Sequence, residues 1–340
     1  MSLSSLKGAV GVGIQAVKGT PAVGLTYFPT LNANVMGEQL AQNLPPEVGG
    51  SLFSRGAYKA GVRGRGEVAM LPRPDTFGYV LRGLFNAESV GVNGITALND
   101  HVFTVGDTAA TPAKWLTVRR YVGNLYGEEI SDARIGSLRV EVAAANVVQA
   151  SVHLLGGSYK QVAGADMGTD DEPVFLTCIA DVTEGGAPFI VDRMSVEIGA
   201  QLTDNEFRVG SYYLDDITLL QRQVAIHADV RIKADDLYRK VYRNNAVGIG
   251  TGVWSPIIYR SAVKLTLKTA ELVPQTFTID LPGVDFLTLP VQMQGADLVR
   301  AQLTASVTLG NDNFDPADPS SVTLQPIIVT LSNGHAAVYA

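Results

Sequence analysis

From about Lys114 onward, apolar and polar residues alternate along much of the chain with a period of two. In "SLRVEV" Leu138, Val140 and Val142 alternate with Arg139 and Glu141, and "MSVEIGAQL", "AIHADVRIK", "AVKLTLK", "TFTIDL" and "AQLTASVTL" repeat the pattern between turn residues. One apolar and one polar face per segment predicts antiparallel strands with a single buried side. Leu138, Val140, Val142, Val196, Ile198, Val230 and Ile232 are expected inside.

Two segments break this period. In "DTFGYVLRGLF" Phe77, Leu81, Leu84 and Phe85 recur at helical spacing behind Asp75, a residue type suited to an N-cap, although Gly78 and Gly83 weaken the helix. "DDLYRKVYR", from Asp235, has acids at its start and Arg239, Lys240 and Arg243 at its end, as a helix dipole favours. The chain therefore reads as mainly β and antiparallel, with two short helices. No short-period repeat is visible, which counts against a solenoid or propeller.

Residues 1–66 have weaker periodicity and many glycines, and read as a Gly-rich N-terminal arm and a long exposed loop. Residues 67–340 carry both helical segments and the alternating strand segments. The arm's "AVKGTPAVG" has the residue types of a phosphate loop in the wrong order, since Lys18 precedes Gly19 and Pro21 disfavours a helix at Thr20.

Composition narrows the class. Hydrophobic residues make up 46% and charged ones 17% of the chain, so the core is ample and the charged surface sparse. A net charge of −7 argues against a general nucleic-acid binder. From Glu271 onward, seven acids stand against one base, Arg300. Cys178 has no second cysteine to pair with, and four scattered His do not make a zinc pattern. The start lacks the basic and apolar regions of a secretory signal, and no apolar run is long enough to span a bilayer.

No catalytic constellation emerges, and the chain reads as a non-enzyme without cofactor or metal. There is no G-x-S-x-G elbow, and His101, His153, His227 and His335 suit structural or surface roles. Asp170-Asp171-Glu172 reads as a turn, Asp215-Asp216 as a loop and Asp235-Asp236 as a helix cap. A calcium loop starting at Asn311 would need Gly and Glu where Pro316 and Val322 stand, so it reads as a solvated hairpin loop.

A sparse charged surface, a Gly-rich arm, a basic loop and no active site suggest a subunit of an assembly. "GIQAVKGTPAVGLTYFP" resembles the opening of the major tail tube proteins of long-tailed bacteriophages. The resemblance continues in "MLPRPDTFGYVLRGLFNAE", and in the strand, loop, strand and helix order of the segment from Asp192 to Tyr242. It implies an antiparallel β-sandwich or partial barrel with one or two short flanking helices over residues 67–340, a decorating insertion at about 156–191, and a long loop within residues 1–66 that reaches between subunits. It implies a virion protein assembled in the host cytoplasm, whose stacked rings form a conduit for DNA ejection without specific DNA binding. It also implies a tape measure protein and tail tip or terminator proteins as partners. Rings would be six-fold, or three-fold where each subunit carries two modules. With no second copy of the arm visible, hexameric rings are expected. Contacts between subunits are expected at Gln15, Lys18, Thr20, Arg55, Lys59, Arg63 and Arg65. Gln302, Thr304, Ser306 and Thr308 are expected to face the lumen. The alternatives are a phage decoration or receptor-binding protein, another β-rich binding protein, or a β-rich carbohydrate-active enzyme.

Overall fold

The computed structural model describes residues 8–45, 56–105, 114–169, 172–232, 236–243, 258–292, 299–307 and 325–339. Among the described residues it is 61% strand and 6% helix, antiparallel, and not closed into a barrel. The first strands are β1 (Gly8–Ile14), β2 (Thr26–Phe28), β3 (Asn32–Asn43) and β4 (Ala57–Met70). Helix α1 (Phe77–Leu84) precedes β5 (Ala87–Val92), β6 (Asn99–Thr104), β7 (Leu116–Val122), β8 (Tyr126–Ala143) and β9 (Gln149–Ala163). Then come β10 (Leu176–Glu184), β11 (Ala187–Pro188), β12 (Val191–Leu202) and β13 (Leu219–Arg231). Helix α2 (Asp236–Arg243) leads to β14 (Arg260–Lys268), β15 (Thr276–Thr288), β16 (Val291–Gln292), β17 (Arg300–Val307) and β18 (Ile328–Asn333).

The alternation sets the faces. Leu138, Val140, Val142, Val196, Ile198 and Val230 are buried in one core, and Ile232 packs against it. Each such side chain contributes about 1.5–3 kcal/mol when fully buried. Helix α1 lies against β8, β1 and β6, and its Phe77 ring meets Phe277 of β15 edge-on at 5.4 Å.

The strand registers contain a duplication. In the first half, antiparallel pairings run β3–β4–β9–β8–β7–β1–β2. In the second they run β12–β13–β17–β15–β14–β10–β11. Each half carries an eight-residue helix after its long hairpin. The correspondence holds residue by residue. Val68 faces Val152, and Ala228 faces Leu303; Val12 faces Val118, and Glu184 faces Val263. One constant offset carries the pairs Ala133–Gly156 and Val140–Ala150 onto Val284–Val307 and Val291–Ala301.

Irregularities recur at the same places. The register of β7 on β8 shifts between Leu116 and Val118, and that of β14 on β15 between Ser261 and Val263. The shift of β8 on β9 between Ile135 and Ser137 recurs between Phe286 and Thr288. Bulges are placed features of a sheet, so two coincidences weigh heavily. In this alignment β15 and β16 together match β8. Strands β17 and β18 together match β9, interrupted by the segment 308–327. One module per chain was the ground for expecting hexameric rings, and the chain holds two.

Three expectations change. The helix start is not capped by Asp75: the Glu172 carboxylate accepts from the backbone N–H groups of Asp75 and Thr76 at 2.8 and 3.1 Å. From Ala57 the basic loop is strand, as β4 pairs with β3 and, from Gly64 to Met70, with β9. The segment 156–191 holds the end of β9 and all of β10 and β11, where the first module gives way to the second.

Candidate assembly surfaces and lumen face

The glycine-rich arm is built into its own subunit. Strand β1 runs between β7 and β2, and Ala9, Val10 and Val12 are buried. Gly13 permits this, because a Cβ there would stand 2.5 Å from the Gly24 carbonyl oxygen. Gln15 is buried, with its amide nitrogen 2.9 Å from Asp132 Oδ1 and its oxygen 3.0 Å from the Thr117 hydroxyl. Asp132 adopts a positive φ of 52° at the middle of β8 and also accepts from the Gly19 N–H at 2.6 Å. Lys18 Nζ donates to the Asp215 carbonyl at 2.6 Å and to Asp216 Oδ1 at 2.9 Å. Burial works against the Asp216 charge, but the Lys18 ammonium and the Ile217 N–H outweigh it and lower its pKa. Gln15 and Lys18 therefore have intrasubunit roles, while Thr20 is exposed.

The basic residues of the hairpin divide similarly. Arg63 is engaged within the chain, by Glu38 Oε2 and Asp204 Oδ2, each at 2.6 Å. Lys59 and Arg65 are exposed on β4. Arg55 lies outside the described residues. Beyond Gly64 the hairpin extends past β9, and Val62 bridges to Tyr213 of the 203–218 loop.

The C-terminal alternation behaves as expected. Leu303 and Ala305 are buried and Val307 packs against the core. Gln302, Thr304 and Ser306 stand on the opposite face, and Thr308 lies outside the described residues. Strand pairing extends that polar face over four strands. Gln302 lies beside Asp229, Thr304 beside His227, and Ser306 beside Ala225; Ser195 then joins His227 to Glu141.

Arg139, Arg193, Arg231 and Arg300 share this face with Glu141, Glu197, Asp192 and Asp229, so it is charge-balanced. Arg193 pairs with Glu141 at 2.5 Å, Arg139 with Glu141 at 3.4 Å, and Arg231 with Asp192 at 2.6 Å. A shallow groove of about 230 Å³ runs between Arg139, Arg193, His227 and Gln302. Among the described residues, no group of three or more His, Cys, Asp or Glu is placed to hold a metal. No helix there is long and apolar enough to cross a membrane.

Several working residues carried no local sequence signal. Glu172 caps a helix almost a hundred residues away in sequence. His101 is fully buried between Glu88 Oε1 at 2.9 Å and the His335 carbonyl at 2.8 Å. Tyr339 closes the C-terminal segment onto α1, its hydroxyl accepting from Asn333 at 2.7 Å.

A comparison with curated proteins finds no match. A family model described as phage tail tube protein matches residues 5–270. The match takes in the first module and the second as far as β14, and strands β15 to β18 complete the same core. With most of its length matched and a mainly β antiparallel fold, the chain belongs to the phage tail tube protein family, a structural component of the bacteriophage virion.

Proposed function

We propose that the chain self-assembles into rings that stack into the tail tube, and that DNA crosses the lumen past the polar face of β8, β12, β13 and β17. The observation that carries this reading is the charge balance of that face, set beside membership of the family. Each phosphate neutralised by a free Lys or Arg releases counterions and tightens binding. Here three of the four arginines are tied to carboxylates, and Gln302, Thr304 and Ser306 offer short polar groups that hydrogen-bond to water. DNA passes such a wall with its own ions and hydration in place. Thr20, Lys59 and Arg65 are available to neighbouring subunits. The tube's ends would take the tape measure and tail tip or terminator proteins, with assembly in the host cytoplasm.

Electron microscopy of the purified protein at high concentration tests the reading. Tubes with Gln302, Thr304 and Ser306 lining the lumen are expected. A lumen lined mainly by Lys and Arg, or these residues on the outer surface, rejects it.

A further inference from the structure

From the duplicated registers we infer that a second copy of the chain docks, by strand pairing, on the edge of β3 that faces away from β4. The pairing strand is the β15–β16 segment of the second copy, and the register is the one that joins the two modules inside each chain. This rests on the ring assembly proposed above and specifies its interface.

The internal joint is visible. Past the end of β7, the second half of β8 is covered by β12: Ser137 faces Gly199, Arg139 faces Glu197, Val140 faces Val196 and Glu141 faces Ser195. Val140 and Val196 are fully buried there. In the alignment of the modules, β12 corresponds to β3 and the second half of β8 to residues 288–292. Neither equivalent edge is covered by a strand among the described residues. There β3 pairs with β4 alone, and the β14 side leaves β15 after Phe286, whose N–H donates to the Tyr259 carbonyl at 3.0 Å. An uncovered strand edge is a template for another chain.

Transferring the internal register gives Thr288 opposite Glu38, Pro290 opposite Met36, Val291 opposite Val35 and Gln292 opposite Asn34. The side chains agree with this. Val291 is 41% exposed, whereas its counterpart Val140 is 0% exposed beneath β12. Met36, at 43% exposed, would meet exposed Pro290, two apolar groups in the place of the Arg139–Glu197 pair. At the next position the sequence has Asn34 and Gln292 in the places of Ser195 and Glu141, polar residues in each case. Each edge has one backbone group held by a side chain of its own chain. Arg120 donates to the Ala33 carbonyl at 3.0 Å, and the Leu289 N–H donates to the Tyr242 hydroxyl at 3.2 Å.

The contact joins different surfaces on the two copies, so it propagates and then closes into a ring or continues as a filament. Repeating one joint within and between chains makes every module equivalent. Six modules per ring, the number implied by the tail tube resemblance, then come from three chains.

Disulfide trapping tests this. Asn34→Cys and Gln292→Cys are combined with Cys178→Ser, and Glu141→Cys with Ser195→Cys reports the internal joint. Asn32→Cys with Gln292→Cys is the off-register control. Expected on mild oxidation is a ladder of one, two and three chains, ending in a closed covalent species of three 36.1-kDa chains. The off-register pair should stay uncrosslinked. Reduced samples are imaged in parallel. Tubes without the 34–292 crosslink, or a ladder closing at six chains, overturn the inference and leave the tube assignment standing. Neither tubes nor rings from the natural sequence overturns the assembly reading itself.

Discussion

The aromatic ring of Tyr339 occupies the space where residue 78 would carry a Cβ. Gly78 is a poor helix former in the first turn of α1, yet the only side chain that admits the tyrosine is none at all. Gly83 is similar, since a Cβ there would lie 2.5 Å from Leu116 Cδ1. Alanine at position 78 should lower stability by about 1–3 kcal/mol through overpacking, against a propensity gain of at most about 1 kcal/mol. Thermal unfolding of Gly78→Ala, Tyr339→Leu and the double variant checks it. The double variant should lose less than the sum, because the two residues touch.

Glu172 caps α1 from a distant loop, and burial raises its pKa, as it does that of the neighbouring Asp75. A folded pKa above the unfolded value means the native state binds more protons. These groups therefore contribute stability at pH below their ordinary values, 4.5 and 3.8, that is lost as pH rises through the raised values. Glu172→Ala should cost about 1 kcal/mol at neutral pH by orphaning two N–H groups. Glu172→Gln keeps an acceptor and has no charge to bury, so it should be close to neutral and flatten that part of the profile. Denaturant midpoints across pH distinguish the two.

The opposite sign is expected where α2 docks. Glu184 is 8% exposed, accepts from the Tyr259 hydroxyl at 2.8 Å and pairs with Lys240. Burial pushes its pKa up, but the hydrogen bonds from Lys240, Ser261 and Tyr259 prevail and hold it below 4.5. Its contribution is present above that value and lost as pH falls through the lowered one. Glu184→Gln should cost about 2 kcal/mol at pH 7, discounted from a fully buried pair because Lys240 is partly exposed, and should flatten the acid limb. Hydrogen exchange in residues 236–243 should rise with it.

Val140 and Val291 occupy equivalent positions with opposite exposure. Val140→Asp buries an unpaired carboxylate and should destabilise the monomer by about 3 kcal/mol or more. Val291→Asp should leave monomer stability within about 0.5 kcal/mol, as surface changes do, and abolish chain-to-chain association. Paired unfolding and light-scattering measurements read both effects.

Arg63 ties the long hairpin to Glu38 and Asp204, whereas Lys59 and Arg65 point outward. Arg63→Ala should cost about 1–3 kcal/mol of stability by breaking charge-assisted bonds. Lys59→Ala and Arg65→Ala should leave unfolding unchanged and alter the salt dependence of assembly. Chemical denaturation and turbidity at two ionic strengths separate the cases.

The period-two alternation determined strands β8, β12, β13, β14, β15 and β17, their buried faces and the polarity of the Gln302 to Ser306 face, because a pleated strand places neighbours on opposite sides whatever lies beyond it. The spacing of Phe77, Leu81 and Leu84, and the acid-to-base order along "DDLYRKVYR", similarly determined two helices. Tertiary structure decided what depends on partners distant in sequence. Glu172 rather than Asp75 caps α1, the arm became an internal strand, and Gln15, Lys18 and Arg63 were drawn to Asp132, Asp216 and Glu38. The duplication was hidden for the same reason. Leu138 and Leu289, or Ile135 and Phe286, share burial and bulges, not their neighbours in sequence, so the repeat lies in the strand registers and not in the residues.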